Sequence, residues 1–320
     1  MPRRRTLLTA AAALPLPAGA TARAQRRFGS LYMLIPAAPG GGWDGLGRAL
    51  ELVAKPAGLV GTVQFENVGG AGGTVGLARF VAQRRGRGDS LFVAGAITVG
   101  AAIANKSPVG LQDVVPVARL TEEAGVIVVP ADSEFRDLRQ FLDALKANPG
   151  AIAVAGGSAG GIDHLTLGMI LGALGRGGRE ASYVAYQSGS QAAAAAIGGQ
   201  VKAALSGWSE FAEQVKAGRL RALAGTGERR QAPDVPTLKE SGVGVVTTNW
   251  RGVFGAPGIS AQDRERLIGL VAEIHALPAW RDLLRTRGWD DAFLTGDAFA
   301  EFIRRDAGAT EAVLRDIGLI

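Results

Sequence analysis

Leu31-Tyr32-Met33-Leu34-Ile35-Pro36-Ala37-Ala38-Pro39-Gly40-Gly41-Gly42-Trp43-Asp44-Gly45-Leu46 opens on an apolar run and passes through a Pro- and Gly-rich turn. It then enters a stretch whose apolar residues, Leu46, Ala49, Leu50 and Val53, recur at i, i+3, i+4 and i+7. The run predicts a strand over 31–36, and the spacing predicts an amphipathic helix capped by Asp44. A strand feeding a helix through a Gly turn is the repeating unit of an α/β fold. Outward from it the unit recurs, with strands over 63–67 and 90–94 and a helix over 75–83.

Residues 114–120 and 125–130 predict two strands separated by the charged Thr121-Glu122-Glu123. A helix with Leu138, Phe141, Leu142 and Leu145 on one face follows and stops at Asn148-Pro149-Gly150. A second alternating set has strands over 151–155, 183–186, 201–206 and 220–225, and helices over 162–173, 191–197 and 208–217. Residues 231–236 read as a surface loop, 245–256 as a long β-type run, and 261–275, 278–287 and 297–317 as helices. The predicted fold class is α/β, with two open sheets joined by crossover strands near 114–130 and 245–256 and a ligand cleft between two lobes. The first lobe is expected to be discontinuous, 25–123 with 248–320, and the second to span 124–247.

The 320 residues suffice for two cores, and 47% apolar content excludes a disordered chain. The absence of cysteine excludes a disulfide scaffold, a zinc ribbon, a Cys nucleophile and a Cys-borne lipid anchor. Arg3-Arg4-Arg5, an apolar stretch and the small-x-small Ala22-Arg23-Ala24 predict an export signal over residues 1–24, by the general or the twin-arginine route. Its removal takes four arginines and no acid, so the formal charge of +6 falls to +2 and marks no nucleic-acid surface. No later segment holds the roughly 18 uninterrupted apolar residues of a membrane span. The expected product is soluble, exported and periplasmic.

Two short motifs point elsewhere. Gly40, Gly42 and Gly45 satisfy G-x-G-x-x-G between a strand and a helix, with Glu66 placed to reach a ribose. The turn is too long for a dinucleotide fingerprint and Trp43 too bulky beside a pyrophosphate; anion capture by backbone N–H groups suits the glycines better. Gly156-Gly157-Ser158-Ala159-Gly160 satisfies G-x-S-x-G, the nucleophile elbow of a secreted serine hydrolase. That alternative needs Asp234 or Asp263 with His275, which reads more simply as a helix-end surface residue. His164 near a helix start reads as structural or as a ligand-facing donor. Arg48 pairs with Asp44 at i+4. Trp208, Trp250, Trp280 and Trp289 read as packing, and Arg251 is left facing either cleft or solvent.

The loops after the strands form one constellation: Gly69-Gly70-Ala71-Gly72-Gly73-Thr74, Ala96-Ile97-Thr98, Gln187-Ser188-Gly189-Ser190 and Ser206-Gly207-Trp208. They are rich in small and hydroxylic residues and poor in acids, as befits an anion held by amides and hydroxyls without fixed positive charge. Paired carboxylates, a metal cluster and a Walker lysine are not evident, which favours binding over catalysis and requires no cofactor. The candidate ligand contacts are Pro39, Gly40, Gly41, Gly42, Trp43, Asp44, Gly70, Ala71, Gly72, Gly73, Thr74, Thr98, Ser158, Ala159, Gly160, His164, Gln187, Ser188, Gly189 and Ser206. Substituting Gly41 or Gly72 by Val should weaken binding with little loss of fold.

Over nearly its full length the chain after residue 24 resembles the substrate-binding receptors of tripartite tricarboxylate transporters, the Bug-type periplasmic receptors. The matching segments include residues 36–44 with Arg48, 66–76, Tyr186-Gln187-Ser188-Gly189-Ser190, 198–201, 218–224, Pro233-Asp234-Val235-Pro236-Thr237-Leu238 and Trp250-Arg251-Gly252. The resemblance implies a two-lobed type II periplasmic binding protein, a monomer that closes on a small carboxylate and delivers it to a two-component membrane permease. It implies carboxylate capture by backbone amides and bridging waters at residues 40–44 and 69–74. Many relatives carry an acid near Ser206-Gly207 to meet a ligand ammonium; its absence here implies a di- or tricarboxylate, citrate-like, rather than an amino acid.

Overall fold

The structure, a computed structural model, describes residues 27–186 and 188–320; the export signal read over 1–24 lies outside them. In chain order, β1 (Phe28–Ile35), α1 (Gly42–Ala54), β2 (Val60–Asn67), α2 (Thr74–Gln83), β3 (Ser90–Gly95), α3 (Ala96–Ala104) and β4 (Val115–Glu122) begin one unit. The chain then crosses into β5 (Gly125–Pro130), α4 (Leu138–Ala147), β6 (Val154–Gly156), α5 (Ile162–Ala173), β7 (Tyr183–Ala185), α6 (Gly189–Ile197), β8 (Ala203–Gly207), α7 (Trp208–Lys216) and β9 (Leu220–Gly225). It returns for β10 (Arg251–Gly255), α8 (Ala261–Ala276), α9 (Pro278–Arg287), β11 (Asp290–Thr295) and α10 (Gly296–Asp316).

Six strands in the order β11-β4-β10-β3-β1-β2 form one open sheet, and five in the order β7-β6-β8-β5-β9 form the other. β1 runs parallel to β2 and β3, and β6 runs parallel to β7 and β8. The strand that enters each sheet from the other is antiparallel to its neighbours: β5 against β8 and β9, and β10 against β3 and β4. The carboxyl ends of the parallel strands in the two sheets therefore face one another.

The period-3.6 stripe of α1 decides its docking. Leu46, Ala49, Leu50 and Val53 are all buried, in one cluster with Met33 and Ile35 of β1 and Trp280 of α9. Each buried Leu or Val contributes about 1.5–3 kcal/mol relative to exposure. A second cluster covers the opposite face of this sheet, and two more cover the faces of the five-stranded sheet. A fifth joins the units: Leu314 and Ile317, at the end of α10, pack on Leu165 of α5. Among the described residues no helix is long and apolar enough to cross a membrane.

Four local expectations are corrected. Asp44 is not the cap of α1, whose N-cap is Gly41; Asp44 sits in the first turn and reaches back to the loop. The β-type run at 245–256 shortens to β10, because the Thr247 N–H donates to Thr226 O just after β9 and the Asn249 N–H to Glu123 O of the outgoing crossover. A 3-10 turn, Pro149–Ala151, delays the strand read from 151 to Val154. α3, read as loop, is a helix packed by the β2–α2 turn, α10 and α5, so it is apolar all round and shows no stripe. Beyond these four, β11 is a strand the sequence does not predict, since an edge strand opening on Asp290-Asp291 lacks β-type composition.

Candidate functional site

Between the two sheets lies a cleft of about 840 Å³, lined from both sides by the loops that follow β1, β2, β6 and β8. α1, α2 and α5 begin at its walls with Gly41, Gly73 and Gly161 as N-caps, and no side chain caps any of the three. Helix N-termini without a side-chain cap present N–H groups and the positive end of the helix dipole, although in α2 the Thr74 N–H is already taken by Ala71 O of the preceding 3-10 turn.

Side chains outside the cleft hold the first loop. Asp44 accepts from Gly40 N–H at 3.0 Å, from Asn67 Nδ2 at 3.0 Å and from Arg48 Nε at 3.3 Å, while Asn67 Nδ2 also donates to Ala37 O at 2.9 Å. Burial pushes the Asp44 carboxyl up, but Gly40, Asn67 and Arg48 outweigh it and keep the group below the usual carboxylate range. Arg48 lies over the Phe65 ring at 4.0 Å. In the second loop Gly72 has φ +61°, and a Cβ there would stand 2.4 Å from Ala101 Cβ. The turn thus rests directly on α3, and only glycine fits.

The opposite wall carries acid. Asp163 accepts from Gly157 N–H at 2.8 Å, and Glu210 accepts from Gly189 N–H at 3.0 Å and from the Ser206 hydroxyl at 2.7 Å. Burial, then the charge of Glu210 and more weakly that of Glu123, push the Asp163 carboxyl up to about 7 against the bonds from Gly157 and Ser206. Burial and the Asp163 charge also raise Tyr183, which remains a donor to Gly157 O at 2.8 Å. At the end of the cleft nearest the crossovers, Arg251 of β10 meets Glu123 at 2.9 Å, their side chains 9% and 3% exposed. Glu123 also accepts from the Ser209 N–H at 3.0 Å and from its hydroxyl. Arg287, donating to Gly45 O at 3.3 Å and lying 5.1 Å from the Trp289 ring, closes the rim.

The sequence profile of the tripartite tricarboxylate transporter family receptor matches residues 51–319. The chain belongs to this receptor family. It is 30% identical over 315 residues to the UPF0065 protein in the tcbD-tcbE intergenic region of Pseudomonas sp. strain P51, covering 95% of this chain and 91% of that one. It is also 30% identical over 197 residues to the UPF0065 protein in the gbd 5' region of Cupriavidus necator; that match spans 60% of this chain and 58% of the relative. Among solved structures, MatC from Rhodopseudomonas palustris with bound malate superposes with a TM-score of 0.73 at 24% identity, covering 89% of this chain and 98% of that one. Rpa4515 from R. palustris with adipate superposes at 0.77 and 19% identity, covering 90% and 97%. These likenesses establish the fold, two mixed α/β sheets in the arrangement of periplasmic binding proteins.

In this receptor the cleft brings together Gly40, Gly41, Gly42, Trp43, Gly70, Ala71, Gly72, Gly73, Ser158, Ser188, Gly189 and Ser206 of the expected contacts. Pro39, Asp44, Thr74, Thr98, Ala159, Gly160 and His164 are not on its lining; Gln187 lies outside the described residues. Thr98 is fully buried in α3, and the Thr74 hydroxyl donates to Ala71 O at 3.0 Å. The His164 ring stacks on Tyr183 at 4.2 Å, its Nδ1 accepts from Gly160 N–H at 3.3 Å, and burial pushes its imidazole below the usual histidine range.

Two charge expectations are overturned. The cleft does hold fixed positive charge, Arg251 and Arg287, and it does gather carboxylates, Glu123, Asp163 and Glu210, one of them bonded to Ser206. Trp289, read as packing, lines the rim. These residues sit on separate segments whose meeting no local pattern announces; the one signal was Trp250-Arg251-Gly252 in the second crossover. Neither decoy motif finds its partners. Glu66 is engaged by Tyr32 and by Arg79 at 2.6 Å. His275 pairs with Asp291 at 2.9 Å and stacks on Phe293, so it does not serve Ser158.

Proposed function

We propose that this receptor is exported to the periplasm by its N-terminal signal and captures a small di- or tricarboxylate between residues 25–123 with 248–320 and residues 124–247. As a monomer it would hand the ligand to a two-component membrane permease, without turnover or cofactor. The observation that carries the reading is the convergence of three uncapped helix N-termini on one cleft. Carboxylate oxygens satisfy such N–H groups, and the helix dipoles supply favourable potential without a dedicated lysine. The malate of MatC and the adipate of Rpa4515, both dicarboxylates, support the same ligand class. Ligand contacts to both walls stabilise a closed state by hinge motion at the crossovers.

A thermal-shift screen tests it with citrate, tricarballylate, succinate, malate, adipate, phthalate and amino acids, since a ligand that binds only the folded state raises the melting temperature. A rise with one or more polycarboxylates is expected. Amino acids belong in the screen because Asp163 and Glu210 offer an ammonium its partners. A shift with NAD and none with any carboxylate overturns the reading.

A further inference from the structure

Resting on that reading, we propose that Arg287, at the rim of the cleft, is the residue that takes a second carboxylate of the ligand. The ionisable side chains on the cleft lining are Glu123, Asp163, Glu210, Arg251 and Arg287. Arg251 is spent on Glu123 at 2.9 Å. Among the described residues no carboxylate pairs with Arg287; its contacts are a 3.3 Å hydrogen bond from Nη1 to Gly45 O and the Trp289 ring at 5.1 Å. That bond uses one of the five N–H donors of a guanidinium. The side chain is half-buried on the lining, within reach of a molecule that enters. A carboxylate in the cleft meets attraction at Arg287 and repulsion at the opposite wall, where Asp163 and Glu210 already share the Ser206 hydroxyl.

The packing sets this cation beside the first glycine loop. Gly42 and Gly45 are three residues apart at the start of α1 and so lie on one face. A Cβ on Gly42 would stand 2.9 Å from Arg251 Nη2. One on Gly45 would stand 3.0 Å from Arg287 Nη1 and 3.7 Å from the Trp289 ring. The two arginines therefore lie side by side along the start of the helix, and Trp289 stands 5.8 Å from one guanidinium and 5.1 Å from the other. Gly288, with φ +65°, ends α9 between Arg287 and Trp289, and both residues reach the lining. Neighbours at the spacing of Gly42 and Gly45 are about 5–6 Å apart, a gap that a short diacid spans from the amides of the loop to Arg287. A guanidinium suits the role because its planar fork meets both oxygens of a carboxylate.

Calorimetric titration of the full receptor tests the assignment with succinate, adipate and tricarballylate, each against the analogue in which one terminal carboxylate is an amide. The wild type is expected to bind at least one acid about tenfold or more tightly than its amide, because the amide forfeits charge-assisted hydrogen bonds to Arg287. Arg287→Met should cut that ratio to about twofold or less. A merely structural Arg287, tying α9 to α1 through Gly45, would weaken acid and amide alike and leave the ratio standing. Should Arg287→Met fail to fold, Arg287→Gln, which keeps an N–H for Gly45 O, decides by the same ratio. Arg285→Met is the control: Arg285 is exposed and paired with Asp282 at 3.1 Å, so its loss removes the same charge from α9 and should leave the ratio unchanged. A wild-type ratio near one, a ratio retained in the Arg287 variants or one lost equally in Arg285→Met overturns the subsite and leaves the carboxylate receptor standing. No binding of any of the three acids overturns both.

Discussion

Glu123→Gln isolates the charge pair that ties the two crossovers together. Glu123 lies where the chain leaves β4, and Arg251 where it re-enters as β10; beside the pair the backbones of Glu123 and Asn249 exchange hydrogen bonds, Asn249 N–H to Glu123 O at 2.8 Å and Glu123 N–H to Asn249 O at 3.3 Å. With side chains 3% and 9% exposed, the ion pair is shielded from solvent. Gln keeps the shape and an oxygen for Ser209, but it strands the guanidinium in the interior without counter-charge. Breaking a buried pair from one side costs about 3–5 kcal/mol, against about 0–1 kcal/mol for an exposed pair. Urea unfolding followed by fluorescence should show that loss as a lower midpoint at unchanged slope. High salt should leave the difference nearly intact, since buried pairs are weakly screened. The double variant Glu123→Leu with Arg251→Met should recover much of the loss, because no charge is then left alone. A single-variant cost under about 1 kcal/mol, or one abolished by salt, refutes the reasoning.

Gly41→Val should weaken carboxylate binding about tenfold or more with little change in stability, because Gly41 has φ −78° and a Cβ there meets only Ala38 O at 3.7 Å. Gly72 is not the equivalent probe the sequence suggested: Gly72→Ala should cost about 2–5 kcal/mol in urea unfolding, from positive φ together with overlap on Ala101. With Asp163 raised from 3.8 to about 7, the folded receptor holds a proton between those values that the unfolded chain has released. Its stability should therefore fall as pH rises from about 4 to 7, and Asp163→Asn should remove that part of the slope in melting temperature. Ile317→Ala should cost about 2–5 kcal/mol, since Ile317 is 6% exposed where α10 packs on α5; an unchanged urea midpoint would mean that this contact stabilises nothing.

What could be read along the chain was whatever repeats along it. Leu46, Ala49, Leu50 and Val53 announce α1, and the Ile162–Ala173 helix and the Leu220–Gly225 strand fall where composition and breakers put them. α3 escaped because a helix that is apolar nearly all round lacks the stripe that betrays amphipathic ones, and β11 because edge pairing with β4 outweighs two acidic residues.

For the cleft, the glycine loops were legible because their chemistry, open amides at helix starts, is local to a strand-turn-helix segment. The acids and the arginine were not. Asp163 is an ordinary first-turn residue of α5, and Glu210 the same in α7, until the sheets set both beside Ser206. Glu123 and Arg251 stand 128 residues apart and become one buried pair only where the outgoing and returning crossovers meet. The sequence by itself determined the alternating elements and the glycine turns at helix starts, since hydrogen bonding and burial there depend on neighbours a few residues away. Which charges face the ligand, and which are spent on each other, was decided only by the tertiary structure, because Coulomb attraction and desolvation depend on distance through space.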